Sequence, residues 1–392
     1  MNGPGDNARA EAPLRIAGVD PERGFAGGET QVLGLTLALL RAGHQAELIC
    51  DPDGELWRRA RAAGVRCHPL RIRNSVDLAA GVRIRRLLRI NRFDVTHFHT
   101  ARAHALAPWA RGRARTLVVT RRMDYPPNRI FARWLFDRAV DGVAAISPAV
   151  AAALTRAGVA RANVTIIPSG VDCAHFRPPT DDERRAARTR FGLADDEFAI
   201  GAIGALAERK GQRFLIEAIA RIREGAADGA PDAGGRARAT RCLIAGAGAI
   251  GAALAAEIER RGVGGAVRMV GPITDARDLL RALDLFVMPS IHEGLGVAAL
   301  EAMACGVPVI ASRTGGLIDL IGEGGAGILT PPGDSAALAE AIASLARSPA
   351  RRAEIGAAGR ARVATNFTMA AMAARTVALY REAIRRRGAR GN

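Results

Sequence analysis

Short runs of apolar, β-branched residues alternate along almost the whole chain with stretches whose apolar positions recur every three or four residues. A run of four to eight apolar residues bounded by turn residues reads as a strand buried on both faces, and the longer stretches read as helices laid over a sheet. In the first part the runs are Leu14 to Val19, Gln45 to Cys50, Val65 to Leu70, Asp94 to His99, Thr116 to Thr120, Gly142 to Ser147 and Val164 to Pro168. In the second they are Phe198 to Leu206, Arg241 to Gly246, Val267 to Gly271, Leu285 to Ser290, Pro308 to Ser312 and Gly327 to Thr330. Strands alternating with helices predict parallel sheets covered on both faces, so the expected fold is α/β, with two tandem Rossmann-like, doubly wound domains facing a central cleft. The rhythm breaks in the polar stretch Asp172 to Asp196, which contains Arg177-Pro178-Pro179-Thr180 and a charge run. The expected domains are 1–172 and 173–365, followed by 366–392 as a C-terminal helix with a basic tail, Arg385-Arg386-Arg387, returning towards the first domain. Gly225 to Thr240 reads as a low-complexity surface loop.

Composition narrows the class. With 392 residues, 49% hydrophobic and 24% charged, each domain can bury its own core. The five cysteines (Cys50, Cys67, Cys173, Cys242 and Cys305) are widely spaced with no CxxC pair, which fits a reducing compartment. No apolar run reaches the 18 or so residues of a membrane span, and the polar start lacks the features of a signal peptide. A cytoplasmic protein is expected, with a peripheral position on the inner face of the cytoplasmic membrane as a further possibility. The formal charge of +17 invites a nucleic-acid reading, but there is no zinc-finger spacing or aromatic RNA-binding strand, and two tyrosines and three tryptophans offer few stacking platforms. No nucleic-acid partner is expected. The basic excess is concentrated in the front half, where it suits an anionic surface or substrate; arginine-biased coding explains it equally well. Of the 56 basic side chains one alone is a lysine, Lys210.

Glycine-rich turns mark the strand ends where ligands of such folds sit. Gly24-Phe25-Ala26-Gly27-Gly28-Glu29 follows the first strand and opens a helix, which would let a phosphate or sugar hydroxyl approach the backbone; a tight turn alone explains the glycines as well. Gly246-Ala247-Gly248-Ala249-Ile250-Gly251 is a formal GxGxxG, yet the next strand ends in Gly271-Pro272 without the acid that would hold a dinucleotide ribose. Asp51-Pro52-Asp53 is a formal DxD, a weak metal-binding signal that a plain turn explains more often. The densest stretch is Pro289 to Val309. There Glu293 stands in the turn after a strand, a helix begins near Gly296, and Glu301 lies inside that helix among apolar and small residues, where an unpaired charge is costly. Main-chain N–H groups of Gly296, Val297 and Ala298 would meet a diphosphate, Glu301 the ribose hydroxyls, and Glu293 the sugar beyond. Pairing of Glu301 with an arginine is the bland alternative.

The Glu293–Glu301 segment resembles the E-x7-E element of the retaining GT-B glycosyltransferases of family 4. The resemblance runs in order through Gly27-Gly28-Glu29 with Gly43-His44-Gln45, Ile166 to Asp172, Gly204 to Gly211, Gly271, Pro289-Ser290 and Thr314-Gly315-Gly316. It implies two domains closing over a nucleotide-sugar held mainly by the second, an acceptor held mainly by the first, and no metal or other cofactor. By resemblance Glu301 is the ribose carboxylate, Glu293 contacts the sugar, Lys210 binds the diphosphate, and Gly27 and Gly28 form the turn against the phosphate; Gly271, Gly294, Leu295, Gly296, Val297 and Ala298 complete the donor set. Three departures stand out. Ala205 occupies a place where many members have arginine, leaving Arg209 to complete the cationic clamp, and Ser169 stands where asparagine is common. The family histidine after the fifth strand is missing from Thr120-Arg121-Arg122-Met123-Asp124, so His99 or Asp124 is the candidate replacement.

The expected activity is therefore retaining transfer of a sugar from a nucleotide-diphosphate sugar to a saccharide or lipid-linked acceptor, in cell-envelope polysaccharide or lipopolysaccharide synthesis. Glu293, Lys210, Arg209, His99 and Asp124 are the candidate catalytic residues. An NAD(P)-dependent oxidoreductase and a nucleotide-sugar epimerase of the same fold are the alternatives. Arg85, Arg86, Arg89 and Arg92 share one side of a helix opposite Ile84, Leu87 and Leu88, either as a docking face for an anionic membrane or as a plain solvated face.

Overall fold

A computed structural model describes residues 12–74, 77–225 and 239–391. Most of the polar start and of the loop Gly225 to Thr240 lies outside the described residues. The first sheet has seven parallel strands: β1 (Arg15–Asp20), β2 (Gln45–Cys50), β3 (Cys67–Pro69), β4 (Val95–Phe98), β5 (Leu117–Arg121), β6 (Gly142–Ala145) and β7 (Val164–Ile166), in the order β3-β2-β1-β4-β5-β6-β7. The second has six: β8 (Phe198–Ile203), β9 (Thr240–Ala245), β10 (Val267–Gly271), β11 (Leu285–Met288), β12 (Val309–Ser312) and β13 (Ile328–Thr330), in the order β10-β9-β8-β11-β12-β13. Every pairing is parallel, and the central strands are buried at successive positions, as continuous apolar runs require when helices cover both faces. The two tandem doubly wound α/β units that the hydrophobic pattern predicts are both present, and each predicted strand forms.

This topology positions the site. Strand order reverses between β1 and β4 in one sheet and between β8 and β11 in the other, and the crevice at such a switch point lies at the carboxyl ends of the strands. Asp20 ends β1 and His99 follows β4; Lys210 follows β8 and Glu293 follows β11.

The chain leaves the first sheet after β7 and comes back beside its own exit, with Val171 bridging Thr368. Gln31 fixes this crossing by accepting from the Gly170 N–H and donating to its carbonyl, at 2.9 and 2.8 Å. The last helix, Met369–Gly391, packs against the helix Gly27–Arg41 and strand β6. Its Tyr380 is fully buried, with its hydroxyl 2.7 Å from His97 Nδ1. Arg385, Arg386 and Arg387 are thus part of a helix and not a free tail: the first two pair with Glu382 and the third with Asp141.

Candidate active site

The second-domain wall is assembled from adjacent loops. Lys210 lies at the end of the short turn Glu208–Lys210, and its Nζ is 2.5 Å from Glu293 Oε2, which also accepts from the Ser290 hydroxyl at 3.2 Å. The Glu293 loop is held on both sides. Ile291 N–H donates to the Arg209 carbonyl at 2.8 Å, Thr314 Oγ1 to the Ile291 carbonyl at 2.9 Å, and Gly316 N–H to the Glu293 carbonyl at 3.0 Å. The expected cationic clamp is therefore reshaped: Lys210 already has a carboxylate partner, and Arg209 contributes its carbonyl to the loop while its side chain stands exposed.

Beyond this pair, Gly296 caps the helix Val297–Ala304 with φ +97°, a conformation that favours glycine. A Cβ there would meet Leu317 at 2.5 Å. The N–H groups of the first helical turn have no intrahelical acceptor and give that end partial positive charge. Leu295 buries its side chain in the core, so only its main chain is available to a ligand. Inside the helix Glu301 is 8% exposed, and among the described residues no hydrogen bond or ion pair meets its carboxylate. Burial, aided by the Asp275 charge, pushes it up to about 8. Arg277 forks onto that same Asp275 and not onto Glu301. The arginine-pairing alternative for Glu301 thus fails. Gly271 ends β10 with φ +74°, and its carbonyl accepts from Gly246 N–H at 2.8 Å.

The first-domain wall faces this one closely. A Cβ on Gly27 would sit 3.4 Å from the Val297 side chain, one on Gly28 would meet nothing within 4 Å, and one on Gly294 would lie 2.2 Å from the Arg122 carbonyl. Glu29 accepts from Ala26 N–H at 2.8 Å and closes the first turn of its helix. Asp124 reaches the second domain, with Oδ2 3.9 Å from His292 Nδ1 and 3.1 Å from a Cβ built on Gly315. His99 instead stays inside the first domain, 4% exposed and stacked on His97 at 4.0 Å. Burial and then the His97 and Arg122 charges hold it well below the usual histidine range, so it is a neutral imidazole. Of the two replacements for the missing histidine, Asp124 is the one at the Glu293 loop.

Sequence reasoning passed over three residues here. Asp20 is fully buried, accepts from Glu22 N–H through Oδ1, and is pushed up to about 7 by burial and by Glu29. Glu29 stands in the sequence as no more than the end of a glycine turn. Arg122, largely enclosed, lies in the field of both carboxylates without an ion pair to either. The signal for Asp20 was a charged residue ending an otherwise apolar strand.

Two motif readings dissolve on inspection. Gly246 and Gly248 turn towards the neighbouring loop, where a Cβ would fall 1.9 Å from the Gly204 carbonyl and 2.2 Å from the Leu206 carbonyl. Those glycines serve close packing of two loops, which disfavours the dinucleotide alternative. Asp51 and Asp53 are both held by Arg23 and Arg71, and Asp51 also accepts from Asp53 N–H, so the DxD is a charge-satisfied turn.

Comparison with known proteins agrees with this geometry. The "Glycosyltransferase Family 4" family matches residues 25–175 and "Glycosyl transferases group 1" matches residues 183–362. The chain is 34% identical over 233 residues to a D-inositol 3-phosphate glycosyltransferase of Stackebrandtia nassauensis, covering 57% of this chain and 50% of that protein. It is 34% identical over 221 residues to a GDP-mannose-dependent monoacylated alpha-(1-6)-phosphatidylinositol monomannoside mannosyltransferase of Corynebacterium glutamicum, covering 53% and 54%. These matches span about half the length of those relatives. Anabaena HepE, solved with UDP and glucose, has the same fold, with a TM-score of 0.80 at 22% identity over 93% of this chain and 98% of that one. With one family matched on each side of the cleft, the chain belongs to the GT-B glycosyltransferases of family 4, glycosyl transferases group 1.

Proposed function

We propose that the protein is a retaining, metal-independent glycosyltransferase that moves a sugar from a nucleotide-diphosphate sugar to a saccharide or lipid-linked acceptor in cell-envelope glycoconjugate synthesis. The observation that carries this reading is Glu301, a buried carboxylate without a protein partner one turn inside a helix whose N-terminus faces the other domain. A ribose diol satisfies such a carboxylate, and a diphosphate satisfies the helix end above it. Breaking the sugar–phosphate bond moves negative charge onto the diphosphate, which Lys210, Arg209 and the helix end stabilise inside a cleft that excludes water. The Lys210–Glu293 pair then separates its duties: the ammonium turns to phosphate and the carboxylate to sugar hydroxyls. In front-face transfer the leaving diphosphate accepts the acceptor hydroxyl proton, so no carboxylate nucleophile is needed. The relatives' printed substrates, an inositol phosphate and a phosphatidylinositol mannoside, support an envelope acceptor. A thermal-shift screen of UDP, GDP, ADP and NAD(P) tests the reading. Stabilisation by a nucleoside diphosphate is expected, and stabilisation by NAD(P) alone overturns it.

The same reading includes a cytoplasmic enzyme docked on an anionic membrane through its first domain. Among the described residues, no helix is long and apolar enough to cross a membrane. On the helix Leu78–Asn91, Leu78, Val82 and Ile90 are exposed beside Arg85, Arg86 and Arg89. Ile130 is 84% exposed, Phe131 stands open between Arg129 and Arg133, and Trp134 stands open just after Arg133. The helix Leu78–Asn91 and the segment Arg133–Ala139, which continues from Ile130 and Phe131, both pack against the helix Ala107–Ala110, which puts two apolar patches edged with arginine on the same side of the first domain. Apolar side chains among cations suit an anionic lipid surface. Flotation with anionic but not neutral liposomes is expected, weakened by Ile130→Glu; failure to bind either liposome removes the membrane from the proposal.

A further inference from the structure

Three neighbouring strands of the first sheet, β1, β4 and β5, lead at their carboxyl ends into polar side chains that each hold a buried atom with no hydrogen-bond partner among the described residues. These atoms are Asp20 Oδ2, His99 Nδ1 and Arg122 Nε. Asp20 is 0% and His99 4% exposed. Buried polar atoms without a partner are rare because each has given up water for nothing, and three at one sheet edge mark a place built to be filled. The edge faces the second domain, where the Arg122 main chain abuts Gly294.

We infer that Asp20, His99 and Arg122 form a subsite for the uncharged, hydroxyl-bearing face of the acceptor sugar, an inference that rests on the glycosyltransferase reading above. The donor and acceptor functions left open match vicinal hydroxyls. A carboxylate oxygen accepts from one hydroxyl, a neutral imidazole nitrogen pairs with the next, and a guanidinium N–H donates to a hydroxyl oxygen. Charge argues against a phosphate or carboxylate at the same place. The Arg122 cation is offset by Asp20 and Glu29, Glu22 near Asp20 is itself paired with Arg102 at 3.5 Å, and His99 is neutral. An anionic group would find no net positive charge there to offset the loss of its water. The subsite holds and orients; no bond is made or broken by its members.

The test uses the full chain and simple probes: methyl α-glucoside, methyl α-mannoside and myo-inositol as neutral polyols, glucose 6-phosphate and inorganic phosphate as anions. Saturation-transfer NMR should show contact with at least one neutral polyol, undisturbed by inorganic phosphate. Asp20→Asn and Arg122→Gln should each weaken that contact about tenfold or more, the scale of a hydrogen bond to a charged group. Nucleoside diphosphate affinity, measured by calorimetry on the same variants, should stay unchanged, which separates loss of the subsite from loss of the fold. Contact with none of the polyols in the wild type, displacement of the polyol by phosphate, or undiminished binding in both variants overturns the subsite while leaving the donor site standing. Absence of nucleoside diphosphate binding in the wild type overturns the parent reading and the subsite with it.

Discussion

The two walls of the cleft solve the same problem with different architecture. The second-domain wall draws its main chemistry from one strand–turn–helix segment, in which Ser290, Glu293, Gly296 and Glu301 are separated by a few residues and supported by Lys210 from the adjacent switch-point strand. The first-domain wall gathers Asp20, His99 and Arg122 from the ends of three strands joined by crossovers, and Glu29 from the first turn of the helix Gly27–Arg41. The Glu293 loop of one wall is held by hydrogen bonds from its neighbouring loops, with Glu301 left open; the other wall carries several buried polar atoms with no partner among the described residues. The lesson is that a nucleotide, recognised through groups common to every such donor, can be read by a compact local device. In the proposed subsite a variable acceptor would be read by side chains scattered over several strand ends.

The largest break in this comparison comes at Lys210. Lys210→Ala removes the one ammonium beside Glu293 and should lower transfer by roughly a hundredfold to a thousandfold, the scale of a lost charge-stabilising group. Lys210→Arg should recover only part of it, because a planar fork does not replace a compact point charge in a contact this short. Steady-state release of the nucleoside diphosphate measures both. Next comes the seam between the walls. Gly294→Ala places a Cβ 2.2 Å from the Arg122 carbonyl and forces the walls apart, so transfer should fall more than nucleotide affinity does. Equal losses in both would mean that the seam belongs to the donor site alone.

A smaller effect appears in stability. Asp20, at about 7, and Glu301, at about 8, keep their protons in the folded chain where unfolded carboxyls have lost them, so each makes stability fall as pH rises from the ordinary 3.8 or 4.5 towards the raised value. His97 and His104, lowered by burial to about 3 and about 4, act oppositely: the neutral folded rings stabilise above about 6.5, and that contribution fades as pH falls. Between about 6.5 and about 8 the histidine contribution is complete and the two raised carboxyls leave a downward slope. The melting temperature of the ligand-free protein should therefore decline from about pH 6.5 to about pH 8. Glu301→Gln should flatten the upper part of that decline more than Asp20→Asn does, and a decline that survives both substitutions would disconnect it from the cleft.

How much was legible follows the same divide. Parallel-sheet strands buried on both faces leave unmistakable apolar runs, so the architecture could be read directly. The Glu293–Glu301 spacing is local, and a carboxylate in an apolar helix stands out in any sequence. Asp20, His99 and Arg122 come together only after β1 pairs with β4 across an order reversal and β4 with β5, and no spacing encodes that. The Lys210–Glu293 pair joins residues 83 apart and was likewise invisible. Gly246 and Gly248 misled for the converse reason, because the glycine pattern for close backbone packing is the same whether the neighbour is a pyrophosphate or another loop.

The most direct measurement is isothermal calorimetry of UDP and GDP on the wild type and on Glu301→Ala. A buried carboxylate that accepts from ribose hydroxyls predicts measurable binding of one nucleoside diphosphate to the wild type and a loss of about tenfold to a hundredfold in the variant. Equal affinity in the two proteins would contradict the ribose role and, with it, the reading of this cleft as a nucleotide-sugar site.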